Sequence, residues 1–316
     1  MQGAAAASGA PPRRGSPVDA LQHLKTFFEG EDEVAAVYVY GRYPPGPSYP
    51  DTDIELALLF PDDADEDDVR AYLERLSEQN PLGPLPGILM PAALNTHILP
   101  VIYEVLTAGE LLVDNDPATR EAFAARTQAR LEAERPQLLQ EARTAILQAR
   151  SLGLAQPARA EALLPQPPKY LDPLRIGWRL GRLLASSSVL ETLTRDAEAA
   201  GRDADRLAQV LGWFSNGAGA ATGIAKAMLS IFDLQRPARR WQVFLPLADR
   251  ALLPMDLALD LASMVEVRWQ VLTSTGLLSA ERLAARVRGF LPAMVAFARQ
   301  AAWFCEVPGG GDAHVH

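Results

Sequence analysis

Tyr38-Val39-Tyr40-Gly41-Arg42-Tyr43-Pro44-Pro45-Gly46-Pro47-Ser48-Tyr49-Pro50-Asp51-Thr52-Asp53-Ile54-Glu55-Leu56-Ala57-Leu58-Leu59-Phe60 is the stretch from which the fold of this chain is read. An apolar strand runs into a glycine turn, a rigid proline loop follows, and a second apolar strand opens with Asp53-x-Glu55. Carboxylates at i and i+2 of a strand point to one face, about 7 Å apart along it. Such a pair suits two oxygen ligands on a Mg²⁺ that carries a nucleoside triphosphate. A glycine turn beside the pair lets backbone N–H groups approach phosphates. The plainer alternative is a pair of edge strands with a Pro/Gly connection and an incidental surface Asp-x-Glu.

These residues resemble the signature of the nucleotidyltransferase superfamily of the DNA polymerase β type: Gly-Ser, a second Gly, then Ser-Asp-x-Asp opening the next strand. Gly41 matches the first Gly, Gly46 the second, Thr52 the Ser, Asp53 the first Asp and Glu55 the second. Arg42 stands at the phosphate-binding Ser and Glu55 replaces Asp, so the motif is partly degenerate. Small bacterial members look similar further on, where this chain supplies Leu94-Asn95, Gly109, Leu111-Leu112, Asp114, Arg120 and Phe123. The resemblance thus covers about the first 135 residues. It implies that Asp53 and Glu55 are the catalytic and Mg²⁺-holding carboxylates, and that Gly41, Arg42, Gly46 and Thr52 bind the nucleotide. ATP or another NTP is then the substrate. Members that transfer a nucleotide usually carry a third carboxylate on the third strand. Between Gln79 and Tyr103 this chain has no Asp or Glu, and Met90 falls at the missing position. His97 is the titratable side chain nearest to it in sequence, and a lone His among apolar residues reads as structural.

A chain of 316 residues with 48% apolar content fits two ordinary domains. The formal charge of -9 argues against a strong generic grip on nucleic acid, though not against a local basic site. The single Cys305 allows neither a disulfide framework nor a Cys-built metal site, which suits a reducing cytoplasm. No apolar run reaches the roughly 18 residues that span a bilayer, and Met1 to Pro12 lacks a signal-peptide core. The expectation is a cytoplasmic protein with no membrane association.

The expected fold class is α+β, a small mixed-sheet nucleotidyltransferase domain followed by an all-α helical bundle. Residues 1–15 read as a disordered tail, 16–150 as the sheet domain, 151–168 as a Pro-rich linker, 169–306 as the bundle and 307–316 as a flexible tail. Ser16-Pro17 starts a first helix, Val34 to Tyr40 and Asp53 to Phe60 read as strands, and Ile88 to Leu94 as a third. The acidic run Asp62 to Asp68 reads as the solvated start of a helix through Gln79. Bundle helices are expected over Leu171–Ala200, Asp203–Phe232, Arg239–Thr275 and Ser279–Cys305, with apolar residues such as Leu257, Leu261, Met264 and Val265 at helical spacing.

Two stretches of the bundle carry weaker likenesses. Phe232 to Trp241, with Leu245-Pro246 following, is similar to a stretch in the helical halves of some antibiotic nucleotidyltransferases. Its Arg236, Arg239 and Arg240 suit either phosphates or a solvated helix end. Met264-Val265-Glu266-Val267-Arg268-Trp269 resembles the Arg region of HEPN bundles, which accompany minimal nucleotidyltransferases in toxin–antitoxin pairs. HEPN ribonucleases need a His a few residues after that Arg, and Gln270 to Thr275 contain none. The bundle therefore reads as a lid or acceptor-binding half and not as a HEPN ribonuclease. The function expected is transfer of a nucleotide, AMP in the first place, to an acceptor that is a small molecule, a protein or an RNA end, at reduced activity. The alternative is an inactive nucleotide-sensing or antitoxin-like interaction protein. The resemblance also leaves room for a homodimer.

Overall fold

The computed structural model describes residues 17–40, 53–79, 81–83, 88–152, 171–235, 237, 239–272 and 279–308. The fold is α+β, with a small mixed sheet and a large helical part. Four strands, β1 (Ala36–Tyr40), β2 (Asp53–Leu59), β3 (Ile88–Ala93) and β4 (Glu110–Asp114), lie in the order β3-β2-β1-β4. β2 pairs antiparallel with β1 and parallel with β3, while β4 pairs antiparallel with the other edge of β1.

Because side chains alternate along a strand, β1 and β2 build two different cores. Val37, Val39, Leu56 and Leu58 point to one face, which α1 (Pro17–Phe28) and α2 (Glu66–Gln79) cover with Leu24, Phe28, Tyr72 and Leu76. Ala36, Tyr38, Ala57 and Leu59 point to the other, where α3 (Leu99–Ala108) contributes Val101, Ile102 and Val105 and α4 (Pro117–Ser151) contributes Phe123. Glu55 shares the period of Ala57 and Leu59, so it belongs to the α3 side.

The remaining helices are α5 (Pro173–Leu193), α6 (Ala197–Arg202), α7 (Ala204–Ile231), α8 (Leu245–Asp249), α9 (Met255–Leu272), α10 (Ala280–Gly289) and α11 (Leu291–Trp303). Ile146, Leu180, Leu183, Phe214, Ile224, Met228, Leu261, Met264 and Phe297 make one continuous core among them. Asp116-Pro117 and Asp172-Pro173 start α4 and α5 by the same device: the Asp side chain accepts from Thr119 N at 3.1 Å or Leu174 N at 2.9 Å, and Pro takes a position that needs no N–H donor. Ala145, Ile146 and Ala149, near the end of α4, already belong to the helical core, which therefore begins before residue 150. Gly177 sits where α5 crosses α4, and a Cβ there would collide with the Cα and Cβ of Ala142.

Several elements differ from the sequence reading, each for a local reason. Glu110–Asp114 is a strand, because Gly109 ends α3 and the next residues find an open edge of β1, with a bulge between Val37 and Tyr38. The helix expected over 171–200 stops at Leu193, where the buried Thr194 hydroxyl donates to Leu190 O at 2.6 Å. Pro292, near the start of α11, separates it from α10 at Phe290, and the expected 239–275 helix divides into a 3₁₀ turn over 240–244, α8 and α9. Val307 packs on the helical core and Pro308 O accepts from Arg143 Nη1 at 3.1 Å, so the tail is anchored at its start. Residues 1–16, the Pro-rich stretch 153–170 and residues 309–316, with their expected tails and linker, lie outside the described residues. Among the described residues no helix is long and apolar enough to cross a membrane.

Asn115, just after β4, holds the approach to β1. Its Nδ2 lies 3.0 Å from Phe28 O, 3.1 Å from Glu31 O and 3.0 Å from Val34 O, and its Oδ1 accepts from Gly30 N at 3.2 Å. Asn115→Ala would leave several of these backbone groups short of a partner, so we expect a loss of about 2 kcal/mol in urea unfolding. An unchanged midpoint would show that water replaces the amide without cost.

Candidate functional site

The β2 register puts Glu55 opposite Tyr40 of β1 and beside Met90 of β3. Met90, the residue expected at the missing carboxylate, is thus the direct cross-strand neighbour of Glu55. Asp53 opens the same strand two residues earlier, paired with Ile88. Gly41, Arg42, Gly46 and Thr52, expected to bind the nucleotide, lie outside the described residues. Of the expected site residues, Glu55 is the one whose side chain can be followed in full.

Its partner comes from the helical part. Lys226 Nζ of α7 donates to Glu55 Oε1 at 2.9 Å, with the two side chains 19% and 31% exposed respectively. Burial alone would push this carboxyl up, but Lys226 and the nearby Arg179 and Arg268 overcome it and hold the group below its ordinary range. Tyr40 behaves oppositely. Burial, reinforced by the charges of Glu55 and Glu104, keeps its phenol protonated far above neutral pH.

Arg179 and Arg175, one turn apart on α5, both pair with the buried Glu104 of α3, Arg175 at 3.4 Å and Arg179 closer. Arg179 Nη1 also donates to Arg175 O at 2.7 Å, and its guanidinium centre lies 4.5 Å from the Trp178 ring centroid. Gly223 makes this possible: a Cβ there would lie 2.6 Å from Arg179 Nε. Arg268 of α9 reaches α7 from another helix, donating to Ser215 O at 3.1 Å and to its hydroxyl at 3.2 Å. The side chain singled out by its HEPN likeness thus lies close enough to Glu55 to lower its pKa. The exposed Arg182, almost a further turn along α5, donates to Asn216 Oδ1 at 2.8 Å. His97 follows the 3₁₀ turn after β3, and burial with the charge of Arg182 lowers its pKa. Its Nε2 is buried without a partner.

Where sheet and helices meet, Glu55 therefore has Lys226, Arg179 and Arg268 around it, and Glu104 has Arg175 and Arg179. Sequence reasoning found Glu55 and Arg268 but not Lys226, Arg179 or Glu104. A signal existed for Lys226, which is one of three lysines in an arginine-rich chain and lies in the small and apolar run Gly219 to Met228. Arg236 and the side chain of Arg240, the other arginines considered for phosphate, lie outside the described residues, and the Arg239 guanidinium lies 5.9 Å from the Trp241 ring centroid.

A double-mutant cycle on Glu55→Gln and Lys226→Met should give a coupling of about 1–2 kcal/mol at pH 7, above that of a surface pair. Because the folded pKa of Glu55 is depressed, this stabilisation is complete above the ordinary value of 4.5 and is lost as pH falls through the folded value. Coupling in urea unfolding should therefore shrink as pH is lowered below about 4.5; no coupling at pH 7 would contradict the pairing. No family model, no curated protein and no solved structure matches this chain.

Proposed function

We propose that this chain is a nucleotidyltransferase-like protein of the DNA polymerase β type that binds an NTP with Mg²⁺ where the sheet meets the helices, and transfers a nucleotide, AMP in the first place, to an acceptor hydroxyl. The observation that carries the reading is Glu55: it lies two residues from Asp53 on one strand, in the combined field of Lys226, Arg179 and Arg268. An arrangement of that kind receives an anion and its counter-cation together.

The residues present fit Mg²⁺ in a limited way. Among the described residues no three His, Cys, Asp or Glu side chains gather, so a cage made wholly by protein is not what the reading needs. Mg²⁺ is commonly held by one or two carboxylates plus substrate phosphates, and Asp53 with Glu55 would serve as those two. When bound, the ion would neutralise phosphate charge and orient the triphosphate. Lys226 and Arg179 supply donors for phosphate oxygens, Lys226 after leaving Glu55 Oε1. In the transfer, the acceptor oxygen attacks the α-phosphorus in line, the α–β phosphoanhydride bond breaks and pyrophosphate leaves. The hydroxyl proton passes to water, since apolar Met90 stands where a third carboxylate would take it. Binding then survives better than turnover, and the expected rate is low.

Met90 and the Glu55–Lys226 pair also favour a second reading, that of an inactive nucleotide-sensing or antitoxin-like interaction protein. Calorimetry with ATP, GTP, CTP and UTP tests the shared premise. At least one should bind in a Mg²⁺-dependent manner, Asp53→Ala should abolish this and Arg179→Ala should weaken it about tenfold. Absence of binding by all four at millimolar concentration would end both readings, and Mg²⁺-dependent NTP consumption separates them. Met90→Asp, next to Glu55, should raise self-labelling from α-labelled NTP above the weak level expected of the native chain. Vigorous native transfer unaffected by Glu55→Ala would place the catalytic carboxylates elsewhere.

A further inference from the structure

We infer that α4 is a hinge that bends at Pro136, and that the ion pairs between sheet and helices are the latch holding the two halves of the molecule shut over Glu55. The inference stands apart from the nucleotide reading, because it uses the packing of α4 and not a ligand. α4 belongs to both halves. Its first turns lie with the sheet: Phe123 joins the α3-side core, Arg120 pairs with Asp114 at 2.9 Å and Arg126 with Asp62 at 2.6 Å. Its last turns lie with the helical core, where Ala145, Ile146 and Ala149 are buried, Arg143 donates to Pro308 O and Arg150 Nη2 donates to Cys305 O at 2.8 Å.

Between these anchors the helix has little to hold it straight. None of residues 132–141, a stretch of about 15 Å, is buried. Its side chains pair along the helix itself, Gln128 with Glu132 at 3.0 Å, Arg130 with Glu134 at 2.6 Å and Gln137 with Glu141 at 2.9 Å. A helix polar all round and laced by such pairs is the kind that bridges two units through solvent. Pro136 lies in the middle of this stretch. It has no N–H for the Glu132 carbonyl and its ring crowds that carbonyl, so the helix resists bending least there.

The contact that such a bend would open is polar and incompletely satisfied. The core residues of the two halves form separate clusters. Across the junction stand Glu55 with Lys226 at 2.9 Å, Glu104 with Arg175 at 3.4 Å and Glu104 with Arg179, while Trp178 of α5 packs on the α3-side core. On the elements that meet here, Arg175 Nε and Trp178 Nε1 of α5 and His97 Nε2 just ahead of α3 are buried without a hydrogen-bond partner among the described residues. Unpaired buried nitrogens cost free energy that exposure to water recovers. The ion pairs thus oppose an opening that the unpaired groups favour, and opening would uncover Glu55 and Lys226.

The test places nitroxide labels on the full chain at two exposed serines, Ser77→Cys on α2 and Ser188→Cys on α5, and reads their separation by pulsed electron–electron double resonance. The native Cys305 is buried and stays unlabelled. With the latch intact, one narrow distance is expected. Glu104→Gln, which leaves Arg175 and Arg179 without their carboxylate, should add a longer distance and raise its population at least about tenfold. Glu55→Gln with Lys226→Met should do the same more weakly, and carries the test if Glu104→Gln fails to fold. Adding Pro136→Ala, which restores the missing donor, should return most molecules to the native distance. Control pairs inside one half, Ser77→Cys with Thr107→Cys and Ser188→Cys with Asp260→Cys, should keep their distances throughout. The inference is overturned by a native distribution that is already broad, by latch variants that keep the native distance, by an opening that Pro136→Ala leaves intact, or by control pairs that lengthen because a half unfolds.

Discussion

Glu55 is the constraint around which the two halves of this molecule are arranged. A carboxylate on the inner face of a sheet loses much of its hydration, and it stays charged only if cations approach closely. Those cations come from helices more than a hundred residues away: Lys226 contacts it directly, and Arg179 and Arg268 add their fields. Arg179 needs room beside α7, and Gly223 leaves it: a Cβ there would lie 2.6 Å from Arg179 Nε. Glu104 adds the second anchor, because Arg179 could not remain 12% exposed without a carboxylate of its own.

Much of the sheet half was legible because its signals are local. The two-residue period of β1 and β2 and the Asp53-x-Glu55 spacing follow from alternation along short strands, while Met90 was placed by the Leu94-Asn95 resemblance and lies beside Glu55 in the parallel β2–β3 register. β4 escaped because five residues with two acidic ends, Glu110 and Asp114, carry no strand pattern of their own; the open edge of β1 makes them a strand. The helical half was legible in its helices and not in their ends. Breaks at Leu193 and Phe290 depend on a hydroxyl back-bond and a proline whose effects are decided by packing.

The site was legible only on its sheet side. Lys226 lies 171 residues from Glu55, and no spacing rule connects a helix in one part of a chain to a strand in another. Arg268 attracted notice for a different reason, its place in a HEPN-like run without the following His. Its guanidinium donates to Ser215 on α7 and contributes to the field at Glu55, so its position is accounted for without ribonuclease chemistry. The missing His and this packing are consistent with one another. An arginine that holds a helix by Ser215 and adds its field at a carboxylate needs no general base beside it.

The same charge arithmetic indicates what a ligand would change. With nothing bound, Lys226 serves as the counter-ion that lets Glu55 remain ionised at the junction. A divalent cation at Glu55 would take over that role with twice the charge, and Lys226, only 19% exposed, would then need an anion in its turn. Cation and phosphate would therefore favour one another: a carboxylate occupied by a cation would free Lys226, and the freed lysine would favour a triphosphate accompanying that cation. Either ligand alone would leave one buried charge without its partner. If the proposed nucleotide site is correct, the ion pair between β2 and α7 would set a threshold that a metal–nucleotide complex crosses more readily than free Mg²⁺ or free nucleotide.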